Sequence, residues 1–84
     1  MIDELKLLLL CSTDGRYTTY YIKFFTIARN KYVSITTVDG VTYDIPMKAI
    51  ENIEFSVKGA LILIMKKNQY LKFSSVMLDK AHER

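Results

Sequence analysis

The chain has 84 residues, enough for one small domain (residues 1–84) with a modest core and too few for two. Half of the residues are apolar and a quarter charged, with three Gly and one Pro, a composition that excludes a disordered tail or a flexible linker. A net charge of +3 is too slight for a nucleic-acid-binding tail, so where the cations lie matters more than their sum.

Leu5 to Cys11 is apolar at nearly every position, and periodicity alone does not separate a buried strand from a short helix there. A strand is preferred, because a turn at Ser12 to Gly15 follows at hairpin distance and a β run begins at Tyr17. The stretch is too short to span a membrane, and Asp3 and Glu4 precede it where a secretory signal carries positive charge. The lone Cys11 forms no internal disulfide and reads as a small buried hydrophobe. A cytoplasmic protein without a membrane segment is expected.

Tyr17 to Arg29 is rich in Tyr, Thr, Ile and Phe, and its alternation slips at Phe24-Phe25, which predicts a bulge or bend. Tyr32 to Val38 and Val41 to Ile45 follow as strands around Asp39-Gly40. Pro46 ends the second of these, and Met47 to Glu51 is a short helix-compatible link. Ile53 to Val57 alternates, Ala60 to Met65 is apolar on both faces, and Leu71 and Phe73 alternate with Lys72 and Ser74 as a last strand. Ser75 is suited to cap a short helix through Lys80. Turn signals at Asp14-Gly15, Asn30-Lys31, Asp39-Gly40, Lys58-Gly59 and Lys67-Asn68 separate these runs. The expected fold is all-β: a small curled antiparallel meander or barrel with a short C-terminal helix.

Catalytic chemistry finds little support. His82, the single histidine, is the third residue from the end in a polar tail, and one Cys with one His makes no common metal set. Asp14 and Asp39 belong to turns, and the three glycines are too scattered for a phosphate-cradling loop. The expectation is a non-enzymatic binding module without cofactor or metal.

In an up-and-down meander successive turns fall alternately at the two ends. That parity places Asp14-Gly15, Asp39-Gly40 and Lys58-Gly59 at one pole. The other pole receives Arg29, Asn30, Lys31, Lys48, Lys66, Lys67 and Asn68, with Glu51 as its one acid. Cations so clustered neutralise phosphates, and the amide side chains beside them read base edges. Lysines in turns also serve simply to keep sheet edges soluble. Tyr20, Tyr21, Tyr32 and Tyr70 flank that pole, where tyrosines either pack or stack on unpaired bases. The two segments apolar on both faces point to a second use. A partner protein or a second copy of the chain would cover them through Leu8, Leu10, Leu61, Leu63 and Met65.

The stretch Tyr21-Ile22-Lys23-Phe24-Phe25, with Asn30 to Thr37 and Asp39-Gly40-Val41-Thr42-Tyr43, resembles the opening strands of LytTR-type DNA-binding domains. Leu61 to Ser75 and Leu78 to Arg84 are similar to that family's ending, so that about two thirds of the chain is covered. The family's central helix and its His-Arg-Ser segment have no counterpart between Ile45 and Ile53, and Ser75 stands where the family has an arginine. The resemblance implies a shortened DNA-binding module whose loops at Asn30, Lys31, Lys67 and Asn68 face the nucleic acid. Two functions are therefore carried forward: a small nucleic-acid-binding accessory or regulatory protein, and a protein-protein module such as an oligomerising subunit or a phage-encoded host-targeting inhibitor.

Overall fold

The computed structural model describes residues 5–82. Asp3 and Glu4, and the last two residues of the segment similar to the LytTR ending, lie outside them. The elements are β1 (Lys6–Ser12), β2 (Tyr17–Ala28), β3 (Tyr32–Thr37), β4 (Thr42–Pro46), a single 3-10 turn (Met47–Ala49), β5 (Ile50–Phe55), β6 (Leu61–Met65) and α1 (Gln69–His82).

Three of the connections are one motif. Ser12, Thr37 and Ser56 each accept a turn bond from a glycine three residues on, Gly15, Gly40 and Gly59, all at positive φ. In each, the Ser or Thr side-chain oxygen also accepts the amide four residues on, from Arg16, Val41 and Ala60 at 3.0–3.2 Å. The pattern is a Ser or Thr, two residues, then a Gly whose missing Cβ permits the left-handed conformation that closes such hairpins. Asn30 and Asn68, at φ 62° and 73°, do the corresponding work in the other two turns.

All six strands form one sheet in the order β4-β3-β2-β1-β6-β5. Every pairing is antiparallel except β1 with β6, which run parallel from Leu8 beside Leu61 to Ser12 beside Met65. The expected all-β curled sheet with its C-terminal helix is present, but the sheet is mixed rather than a pure meander. The strands that are apolar on both faces, β1 and β6, are neighbours in its interior, as near-continuous apolar runs are in parallel pairings.

The curl follows from register. The first half of β2 pairs with β1 and the second half with β3, and the register shift between Ile22 and Phe24 leaves Lys23 as the bulged residue. Before the bulge the even positions face inward, ending at buried Ile22; after it Phe25 and Ile27 pair with buried Ile35 and Val33. Laid flat, the sheet would hold Pro46 and Ile50 at opposite corners, because β4 continues past the start of β1 while Ile50 pairs with Met65 at its far end. Only three residues join them, so the sheet must wrap. Phe25 on β2 and Phe55 on β5, with β1 and β6 between them in sheet order, accordingly meet with ring centroids 6.0 Å apart.

The inner face closes on Leu8, Leu10, Ile22, Val33, Ile35, Ile45, Leu61, Leu63 and Met65, all without exposed surface. The helix α1 lies on this face through Tyr70, Phe73 and Met77, a one-sided spacing of three and four. The expected final strand at Leu71 to Ser74 is therefore the first turns of this helix, which begins at Gln69 rather than Ser75. Alternation over so few residues fits either period, and the apolar positions Tyr70, Phe73 and Met77 find cover only as a helix.

Candidate nucleic-acid interface

The link Met47–Ala49 acts as a clasp between two turns. Its first amide, on Met47, donates to the Lys31 carbonyl at 2.9 Å, and its last carbonyl, on Ala49, accepts from the Lys66 amide at 2.9 Å. Lys31, Lys48 and Lys66 thus follow one another along a single rim of the curled sheet, with Arg29 and Asn30 at one end and Lys67 and Asn68 at the other. All seven residues are exposed. None of the five cations pairs with a carboxylate among the described residues.

The opposite pole is not as parity requires. Because β6 runs parallel to β1, its end at Met65 is level with Ser12, and the Asp14-Gly15 turn joins the basic rim. Asp39-Gly40 and Lys58-Gly59 lie toward the start of β1 instead, where Ile22 pairs with both Lys6 and Thr37 and where Gly59 adjoins Leu5 and Lys6. Parity holds only while each strand turns back beside its predecessor, and between β4 and β5 the chain crosses the sheet.

The arrival of the Asp14 turn adds no free acid. The Asp14 carboxylate accepts from Arg16 through Nε at 3.1 Å and Nη2 at 3.0 Å, and the Ser12 hydroxyl donates to it as well. These hydrogen bonds hold its pKa down to about 2, Arg16 contributing most and Ser12 next. The same guanidinium lies 5.6 Å from the Tyr70 ring centroid. The pair cancels in charge, and the excess of cations on the rim is unchanged.

Between this turn and the start of α1 is a cleft of about 130 Å³, lined by Ser12, Thr13, Asp14, Arg16, Tyr70 and Leu71 together with Lys66, Lys67 and Asn68. Ser12, Thr13 and Arg16 are not among the site residues that the sequence suggests. The signal that finds them is the pair of doubly apolar strands: read as adjacent interior strands, they bring the ends of β1 and β6 together.

The five residues expected to meet a partner, Leu8, Leu10, Leu61, Leu63 and Met65, are core and have no exposed surface. Of the tyrosines near the basic pole, Tyr70 is buried and bonded to Thr18, and Tyr20 donates to the Ser74 carbonyl, which makes both packing residues. Tyr21 and Tyr32 remain open to solvent. The Cys11 thiol is pushed up by burial and by the nearby Glu54 carboxylate, so it is not an activated nucleophile. Among the described residues no group of three His, Cys, Asp or Glu could hold a metal ion, and no helix is long and apolar enough to cross a membrane. Comparison with protein-family models, with curated proteins and with solved structures finds no match for this chain.

Proposed function

We propose that this chain is a non-enzymatic binding module that takes nucleic acid on its basic rim, with Arg29, Lys31, Lys48, Lys66 and Lys67 neutralising phosphates. The observation that carries this reading is the clasp. Two backbone hydrogen bonds hold three basic segments, distant in sequence, side by side, and among the described residues no carboxylate pairs with their cations. Lysines that only blunt sheet edges need no such gathering. The loops that the LytTR resemblance turns toward DNA, at Asn30-Lys31 and Lys67-Asn68, both belong to this rim. Asn30 and Asn68 sit on it in left-handed conformations, with amide side chains exposed beside the cations.

Phosphate contacts fix position without reading sequence, so this rim binds many sequences with a strong dependence on salt. Fluorescence anisotropy of labelled single-stranded and duplex oligonucleotides at low salt tests the reading. Retention by the wild-type chain, weakened to a similar extent on unrelated sequences by Lys66→Ala with Lys67→Ala, supports it. Absence of any DNA or RNA binding at low salt ends it.

A further inference from the structure

The outer face of β1 and β6 is almost as apolar as the inner one. Leu7, Leu9 and Cys11 of β1 alternate with the core positions, and Ile62 and Ile64 do the same on β6. A sheet face left to water ordinarily alternates in polar residues. The helix does not remedy this, since Tyr70, Phe73 and Met77 carry it onto the inner face.

At the start of β1 this face opens into a groove of about 560 Å³. Leu7, Leu9 and Ile62 floor it, Leu9 lying beside Ile62 in the parallel pairing. Tyr21, paired with Leu7 and 66% exposed, forms one side, and the turn from Ser56 to Ala60 forms the other. Two cations, Lys6 and Lys58, line it, and among the described residues no carboxylate does. An apolar floor with lysines at its margin is complementary to an apolar anchor flanked by negative charge. The exposed Tyr21 supplies the amphipathic ring that protein interfaces favour. Because the floor is a sheet surface open along its length, a small amphiphile would keep much of its surface in water, whereas small-molecule sites bury most of their ligand. A polypeptide segment suits such a trough.

We propose that this groove docks an acidic, apolar-anchored segment of a partner protein. Its apolar side chains rest on Leu7, Leu9 and Ile62, and its carboxylates meet Lys6 and Lys58. The site lies at the opposite end of β1 from Lys66 and Lys67, and it does not depend on the nucleic-acid reading. It also leaves β1 and β6 in place as interior strands, so recognition runs through side chains and not through addition of a strand to an edge.

Two synthetic peptides with the same leucines, one flanked by glutamates and the other by lysines, test the site by titration into the full chain with amide chemical shifts as the readout. The expected result is shifts at Leu7, Leu9, Tyr21, Ile62 and Gly59 with the glutamate peptide, which binds at least about tenfold more tightly than the lysine peptide. Lys6→Glu with Lys58→Glu inverts that preference, while Lys66→Glu with Lys67→Glu, which changes the net charge equally, preserves it. Shifts elsewhere, no binding, or a preference that follows net charge alone would overturn the proposal. So would a dimer of this chain that Leu9→Arg dissociates, because a second copy would then own the groove.

Discussion

The hydroxyls of Thr18 and Tyr70 lie 2.6 Å apart, joining residues 52 positions distant in the chain. This contact fixes α1 across the inner face of β2, and the Tyr20 hydroxyl, donating to the Ser74 carbonyl at 3.2 Å, repeats it one helical turn later. Burial pushes the Tyr20 phenol up, so it remains a protonated donor through neutral pH. Tyr70→Phe leaves the ring in place and removes one bond from a part-buried pair. It should cost about 1 kcal/mol, a fall in melting temperature of about 4–8 °C for a domain this small, measurable by calorimetry.

The Asp14 turn carries a pH dependence whose sign is set by its depressed pKa. A carboxyl held near 2 in the folded chain, against about 4 when unfolded, contributes stability that is complete above about pH 4 and lost as the pH falls toward 2. The side chain is exposed, and the contribution is small. Titration of the Asp14 carboxyl by NMR should give a midpoint near 2, and Arg16→Ala should move it upward toward the ordinary value. An unchanged midpoint in that variant would remove Arg16 as the main cause.

Gly40 isolates the cost of the recurrent turn. A Cβ at this position would meet nothing within 4 Å, so Gly40→Ala changes only the backbone preference at φ +89°. Its destabilisation should be about 1 kcal/mol, read from the midpoint of urea unfolding with the slope unchanged. A stabilised variant would mean that the turn adopts another conformation.

Much of the fold is legible in the sequence because hairpin turns are local. Asp14-Gly15, Asp39-Gly40 and Lys58-Gly59 announce their turns through glycine, and the doubled Phe24-Phe25 announces the bulge that falls at Lys23. What the sequence hides is non-local. The stretch from Leu71 to Ser74 reads equally as a strand, and only contact with Thr18, Tyr20 and the core selects the helix. The parallel pairing of β1 with β6 is set by the crossing at Met47–Ala49, where no residue signals direction. That one pairing decides the site. It moves Asp14 and Arg16 beside Lys66, sends Gly59 to the start of β1, and turns Leu8 and Leu63 into core while Leu7, Leu9 and Ile62 face outward.

The gathering of Lys31, Lys48 and Lys66 by the Met47–Ala49 clasp is tested most directly by the salt dependence of binding to a labelled single-stranded oligonucleotide. Five cations on phosphates give a slope of log Kobs against log salt of about −3.5. Lys66→Ala with Lys67→Ala should flatten it by about 1.4, and Lys31→Ala with Lys48→Ala by the same amount, since both pairs belong to one rim. A slope that only one pair changes, or that neither changes, would contradict a shared anion-binding surface.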